Sequence, residues 1–136
     1  AKVCGFDFIM GKTQKVQLKS IASGKYLQFN ESGVLHANGD DQCYLLQAKD
    51  GDKYQFMNPE NKEQKVALDN DGHPEKQIVE EHTYFTLVPQ GRENVVSLRN
   101  TVFDFFVAFD NHGNWVHCKD SDDSENGKFE LTRFDQ

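Results

Sequence analysis

The chain of 136 residues has room for one domain, with a core large enough to need no disulfide or metal. Its formal net charge of −7 disfavours nucleic acids, heparin and anionic membrane surfaces as partners, because each of these carries the same sign of charge. Aromatic residues make up 12% of the sequence and favour an all-β fold. No run approaches the ~20 apolar residues of a membrane span, so membrane insertion is not expected.

The first predicted element is Val3–Met10, which would supply an extra strand or the first strand of a shifted register. No signal peptide is predicted, which favours a cytoplasmic or leaderless-secreted location. Ala1 would follow either a removed initiator methionine or a removed leader. The three cysteines, at positions 4, 43 and 118, are odd in number and widely spaced. This pattern favours a reducing compartment over a disulfide framework or a metal site.

Three turn glycines mark an internal repeat along the rest of the chain: Gly33, Gly72 and Gly113, spaced by 39 and 41 residues. Apolar residues stand six and four positions before each glycine: Leu27 and Phe29, Val66 and Leu68, Val107 and Phe109. This alternation predicts a strand with one buried face in every copy. Short polar residues then lead into a glycine, which readily adopts a positive φ, so a tight turn is expected at all three places.

Further predicted strands complete each unit of about 40 residues. The first strands are KVQLKS, KYQFMN and NVVSLRN, and the third strands are VLHA, QIVEE and WVHCK. Each unit closes with an aromatic-x-Leu strand, at Tyr44–Leu46, Phe85–Leu87 and Phe129–Leu131. The sequence thus predicts one domain, 1–136, with repeats at about 12–52, 53–93 and 94–136 and about twelve strands. Three such units would close as a six-stranded barrel capped by three hairpins, since propellers have about four or more blades.

The stretch GKYLQFNESGVLHANGDDQCYLLQA resembles the strand–turn–strand pattern G-x-Y-L-x-x-x-x-x-G-x-L, followed by C-x-x-L, of the β-trefoil superfamily. FFVAFDNHGNWV resembles it more loosely. The superfamily includes fibroblast growth factors, interleukin-1-type cytokines, fascin and hisactophilin. The resemblance covers nearly the whole chain and implies a pseudo-symmetric β-trefoil whose function lies in its variable loops.

Three subfamilies fit the sequence poorly. The stretch matching the basic heparin-binding loop of growth factors reads KDSDDSENGKFE and is acidic. Ricin-like lectins close each repeat with Gln-x-Trp, which is absent here, and Trp115 precedes the closing strand. Hisactophilins are crowded with histidine, whereas this chain has five. The resemblance therefore favours an interleukin-like or fascin-like member.

No catalytic or metal-binding pattern emerges, so the chain is predicted not to be an enzyme and to need no cofactor. The histidines fall in different repeats without zinc spacing: His36, His73, His82, His112 and His117. Cys118 adjoins His117, but consecutive residues of a strand face opposite sides, which favours a structural cysteine. The run Asp120–Glu125 lacks the glycine and glutamate positions of an EF-hand, which favours a solvated loop over a calcium site.

Three features are candidates for binding a partner. Phe103 and Phe105 stand where the first repeat has Ser23 and Lys25, so they either fill the core beneath a hairpin or form an exposed aromatic patch. Trp115 would be the centre of any glycan contact. The acidic loop, which would suit a basic partner, contributes Asp120, Asp122, Asp123 and Glu125.

The leading hypothesis is a non-enzymatic protein-binding module, a cytokine- or growth-factor-like ligand that does not depend on heparin. One alternative is an intracellular fascin-like module that associates with actin, although both partners would then be acidic. The others are a carbohydrate-binding lectin without the usual motif and a trefoil-type protease inhibitor. Receptor-dependent signalling, co-sedimentation with actin and glycan binding would separate these hypotheses.

Overall fold

A computed structural model describes residues 12–75, 77–117 and 125–134. The predicted leader strand, Cys4, Cys118, Asp120, Asp122 and Asp123 lie outside these ranges. Within them the prediction of an all-β fold is confirmed, with two short 3₁₀ helices at Glu80–Thr83 and Glu125–Gly127. None of the helices in the described ranges has the length and apolar character to cross a membrane. The strands are β1 (Gln14–Ser20), β2 (Tyr26–Phe29), β3 (Leu35–Gly39), β4 (Leu45–Asp50), β5 (Lys53–Asn58), β6 (Asn61–Lys65), β7 (Phe85–Pro89), β8 (Val95–Asn100) and β9 (Phe129–Arg133).

Six of the strands form a closed antiparallel ring. β1 pairs with β4, β4 with β5, β5 with β7, β7 with β8 and β8 with β9, and β9 pairs back with β1. The β1–β9 ladder extends from Val16 opposite Arg133 to Ser20 opposite Phe129. Because every strand of the ring has two neighbours, none of the six is left as a free edge. The hairpin of β2 and β3 branches from β1, and β6 branches from β5.

Alternate residues of the ring strands fill the core. On β1, Val16, Leu18 and Ser20 are buried, while the residues between them are more exposed, as expected for side chains that point to opposite faces. Among the described residues, four phenylalanines are fully buried: Phe56, Phe85, Phe109 and Phe129. The rings of Phe109 and Phe129 meet edge to face at 6.1 Å between centroids, a favourable geometry for aromatic pairs. The predicted aromatic-x-Leu closing strands thus supply two of the largest core side chains.

The described chain contains nine strands, so the prediction of a twelve-stranded trefoil is correct only in its coarser part, the all-β fold. Two of the predicted hairpins shrink to single bridges, Leu68 opposite Pro74 and Phe109 opposite Trp115. The residues that flank each bridge make its backbone bonds: the N–H groups of Asp69 and Glu75 donate to His73 and Ala67, and those of Asp110 and Val116 donate to Asn114 and Ala108. The N–H group of Phe109 faces away from Trp115 and donates to the carbonyl of Asn126, which lies further along the chain. The predicted strand QIVEE is a loop at residues 77–79, and its last two residues, Glu80 and Glu81, begin the first 3₁₀ helix.

Candidate binding groove

The three predicted glycine turns share one hydrogen-bonding pattern. The carbonyl of the first residue accepts a 3.0 Å bond from the glycine N–H in each turn: Asn30 and Gly33, Asp69 and Gly72, Asp110 and Gly113. The side-chain Oδ1 of the first residue also accepts bonds of 2.9–3.0 Å from the N–H groups two and four residues later. The glycines have φ of 79°, 80° and 81°, which residues with a β-carbon rarely adopt. The prediction of three equivalent turns is confirmed.

Each turn packs closely against a segment that is distant along the chain. A β-carbon on Gly33 would lie 2.6 Å from Gln64 Nε2, one on Gly72 would lie 2.6 Å from the ring of Phe105, and one on Gly113 would lie 2.5 Å from the Ala37 oxygen. Backbone bonding continues this contact, because the N–H of Ala37 donates to the carbonyl of Gly113 at 3.0 Å. Gly72 and Gly113 are therefore required by both conformation and space, whereas Gly33 is required by conformation, because the flexible end of the Gln64 side chain can move.

Between the first and second turns lies a cavity of about 730 Å³, which we call the turn groove. Its apolar lining consists of Phe29, Val34, Leu35, Val66, Ala67, Pro74, Ile78 and Trp115, and its polar lining of Ser32, Gly33, Glu63, Gln64, Lys65, His73 and Glu75. Val34 and Ile78 are 38% and 39% exposed, which is high for large aliphatic side chains. Two exposed aliphatic side chains over an apolar wall form a surface that favours contact with another molecule.

Trp115 is fixed in the wall of the turn groove by two contacts. Its indole Nε1 donates a 3.2 Å hydrogen bond to the carbonyl of Gly72. Its ring meets the buried Phe109 edge to face at 5.2 Å between centroids. Because both the polar and the apolar parts of the indole are engaged, the tryptophan presents a rigid apolar face to the groove.

The charges around the turn groove are predominantly acidic once internal pairs are taken into account. Lys65 forms a 3.2 Å ion pair with Glu80, so its charge is neutralised within the protein. Burial opposes the charge on Glu80, but hydrogen bonds from Gln55 and Lys65 lower its pKa below the usual value. Glu75 is held by His82 Nδ1 at 2.7 Å. Glu63 is exposed and has no ion pair with any residue that the structure describes.

The predicted partner-binding residues fall in different places. Trp115 lines the turn groove. Phe105 is 7% exposed and lies in the core against Gly72, which leaves its ring almost no surface for a partner. Phe103 is half-buried, contacts the ring of His82 at 4.7 Å and lines a second cavity of about 630 Å³. Glu125 is exposed and pairs with Lys128 at 3.4 Å and Arg92 at 3.5 Å. The two phenylalanines therefore do not form one exposed patch.

Cys43 is in an environment that disfavours a nucleophilic thiolate. Burial is the main cause that raises the pKa of this thiol, and the neighbouring Asp40 and Asp41 carboxylates add to it. Its Sγ lies 3.2 Å from Gln28 Oε1 and 3.6 Å from Asp40 Oδ1. A thiol that remains protonated is a poor nucleophile, which fits the predicted structural role for this cysteine.

One cluster in the described ranges has ligand atoms close enough for a metal ion. Atoms of Asp69, Asp71 and His73 lie within 4.8 Å of one another. Asp69 Oδ1, however, accepts the backbone bonds of its own turn, and uncharged Asn30 does the same in the first turn. Turn capping therefore accounts for the acidic residue without a metal.

The two capping carboxylates, Asp69 and Asp110, predict that the protein loses stability in acid. Burial opposes the charge on Asp69, but the N–H groups of His73 and Asp71 lower its pKa below the ordinary 3.8. The N–H of Asn114 is the main cause that lowers the pKa of Asp110. Both groups bind fewer protons in the folded state than in the unfolded state. Their stabilisation is therefore complete above the ordinary carboxyl pKa and is lost as the pH falls through the lower folded values.

We expect the Asp69→Asn, Asp110→Asn double variant to lose stability less steeply than the wild type between about pH 5 and pH 2. The amide oxygen can accept the same backbone bonds without titrating, as Asn30 does. Urea midpoints measured across this range would check the prediction. Parallel pH profiles for the two proteins would contradict it.

The sequence reasoning missed Val34 and Ile78 as groove residues. Val34 could have been found, because it directly precedes Leu35, one of the alternating buried residues of β3, and must face away from it. Ile78 carried no such signal, since the segment that contains it was predicted to be a strand and is a loop.

The fold and the groove define a class of protein: an all-β chain with a closed six-stranded ring and a groove formed by its turns. No protein-family model matches the sequence, and no curated protein matches it. A solved structure does match, that of a salivary protein from Culex quiquefasciatus that belongs to the Cysteine and Tryptophan-Rich (CWRC) family. The TM-score is 0.74 over 90% of this chain and 95% of that chain, at 12% sequence identity. The likeness concerns the fold alone, and this chain has only three cysteines and one tryptophan.

This match overturns the family resemblance drawn from the sequence. Assignment to the superfamily of fibroblast growth factors, interleukin-1-type cytokines and fascin is wrong, because the matching structure belongs to a different family and the described chain has nine strands instead of twelve. The residues that carried the resemblance build a glycine turn and the apolar strand before it. Those features serve local structure and do not identify a family.

Proposed function

We propose that this chain is a non-enzymatic binding module that holds a segment of a partner protein in the turn groove. The single observation that carries the proposal is the exposure of Val34 and Ile78 over a groove whose wall is a rigidly held Trp115. Ordered aromatic and aliphatic side chains in a concave site favour binding, because they bury apolar surface with little loss of side-chain freedom.

The partner segment should combine apolar side chains with lysine or arginine. The groove volume of about 730 Å³ is within the usual range for small-ligand sites and accommodates a few side chains. The unpaired charge of Glu63 and the net charge of −7 favour a basic segment by charge complementarity. Lys65 opposes a basic partner only weakly, because Glu80 already neutralises it.

Two observations support a role without catalysis. Cys43 has a raised pKa, and the capping carboxylates Asp69 and Asp110 are occupied by their own turns. The cytokine- and growth-factor-like role depended on the family resemblance, so only its coarser part, protein binding, is retained in this proposal. Actin is an unfavourable partner because it is acidic like this chain.

We also infer that the chain contains three related units, each built around one glycine turn. The recurrence of the capping bonds at Asn30, Asp69 and Asp110 supports this organisation. Three similar turns that support different loop surfaces would let the groove between two of them evolve without a change in the ring.

Selection from a random peptide library displayed on phage would test the proposed function. We expect the folded wild-type protein to enrich sequences in which an apolar residue adjoins lysine or arginine. The Val34→Ser, Ile78→Ser double variant should bind the selected peptides at least about tenfold more weakly, because burial of one aliphatic side chain contributes ~1.5–3 kcal/mol. Fluorescence anisotropy of labelled peptides measures this change.

Val102→Ser is the matched control, because Val102 is 52% exposed and lines the second cavity. It should leave peptide affinity unchanged. Enrichment of acidic peptides, or equal binding by the groove variant and the control, would contradict the proposal. Raising the salt concentration should weaken the binding of the peptides in proportion to the number of their basic residues.

A further inference from the structure

The first turn contains an acceptor pattern for N-linked glycosylation. Asn30, Glu31 and Ser32 form the sequence Asn-x-Ser with a middle residue other than proline. All three residues are exposed, and they lie between β2 and β3, at the tip of the hairpin. Exposure of the whole tripeptide is what a bulky, solvated modification requires of the folded protein.

The geometry of Asn30 separates the atom that would be modified from the atom that stabilises the turn. Oδ1 accepts the N–H groups of Ser32 at 2.9 Å and Val34 at 3.0 Å. The amide nitrogen Nδ2 lies 3.3 Å from Nε2 of the half-buried His36. A sugar on Nδ2 would leave the capping oxygen in place, so the folded turn can carry the modification.

Comparison of the three turns shows that an amide is not needed for the fold. Asp69 and Asp110 make the same backbone bonds with a carboxylate oxygen. Of the three capping residues, only Asn30 has a side-chain nitrogen that can accept a sugar. The remaining requirement of the pattern, a hydroxyl residue two positions later, is met by Ser32.

We propose that Asn30 is a site of N-linked glycosylation in a chain that has entered the secretory pathway. The sugar donor is an oligosaccharide linked to a polyprenyl diphosphate. The bond between its anomeric carbon and the diphosphate oxygen breaks, a bond between that carbon and Asn30 Nδ2 forms, Nδ2 loses one proton, and the polyprenyl diphosphate leaves. Because Ser32 and Val34 of the same turn line the turn groove, the glycan stands at the rim of the groove. The modification itself does not depend on the proposed function.

Expression of the full chain behind a cleavable signal sequence in eukaryotic cells tests the proposal. Intact mass is measured in medium and cell extract before and after treatment with peptide-N-glycosidase. We expect a glycan mass on the wild type that the enzyme removes, leaving aspartate at position 30. Ser32→Ala and Asn30→Asp should both abolish it.

Asn30→Asp also serves as the folding control, because Asp69 and Asp110 already fill equivalent positions. Its circular dichroism and urea midpoint at pH 7 should match those of the enzyme-treated wild type, which has the same sequence. A translocated wild-type chain without a glycan, or a glycan that persists in Asn30→Asp, would overturn the assignment.

Discussion

Phe105→Ala is expected to lower the free energy of unfolding by roughly 3–5 kcal/mol, as is typical for loss of a buried aromatic side chain. The ring is 7% exposed, belongs to the core cluster and fills the space against Gly72 of the second turn. Its removal would leave a cavity below a turn that also receives the Trp115 hydrogen bond. A loss of this size is a large share of the roughly 5–15 kcal/mol that stabilises an ordinary domain.

Phe103→Ala is the matched control. It also removes a phenylalanine side chain, two residues earlier in the sequence, but at a position that is half-buried. We expect a clearly smaller loss, because part of that ring is already in contact with water. Urea unfolding followed by circular dichroism measures both changes. A Phe105→Ala protein as stable as the wild type would show that the core assignment is mistaken and would return this residue to the partner-binding candidates.

Gly113→Ala is expected to be destabilising by about 2–5 kcal/mol, from backbone strain and overpacking together. The φ of 81° is unfavourable for alanine. The added methyl group would lie 2.5 Å from the Ala37 oxygen, so the third turn would have to move away from β3. That movement would weaken the 3.0 Å bond from the Ala37 N–H to the Gly113 carbonyl.

Gly91→Ala separates the two causes. Gly91 has a φ of 79°, but a β-carbon there would meet nothing within 4 Å. We therefore expect it to carry only the strain of the left-handed backbone, about 1–2 kcal/mol. The difference between the two urea midpoints measures the packing of the third turn. Equal losses in the two variants would contradict the close approach to Ala37.

The features that sequence reasoning identified correctly are those set by nearest neighbours along the chain. The glycine turns were predicted from a short polar side chain and a glycine three positions later, and the capping bonds span only four residues. Core residues such as Leu27 and Val66 followed from strand alternation. Local chemistry alone determines both features, so one sequence contains enough information to place them.

Features that depend on distant contacts were predicted less well. Phe109 fits the apolar alternation of a strand, but its N–H group donates to the carbonyl of Asn126, and no local sequence pattern predicts that hydrogen bond. The turn groove is similar, because Val34 and Ile78 are 44 positions apart in sequence and line the same cavity only in the folded chain. The sequence placed Phe105 either in the core or in an exposed patch, and the choice required knowing that Gly72 leaves room for its ring.

The ladder between β1 and β9 can form only after most of the described chain has been synthesised. Val16 pairs with Arg133, 117 positions further along the chain, so it is made long before its partner. Until β9 has been synthesised, the edge of β1 that pairs with it has no partner strand. Contacts between such distant residues also form slowly. The nascent polypeptide is therefore prone to aggregation until β9 has emerged, and a chaperone that shields β1 during that interval would raise the yield of folded protein.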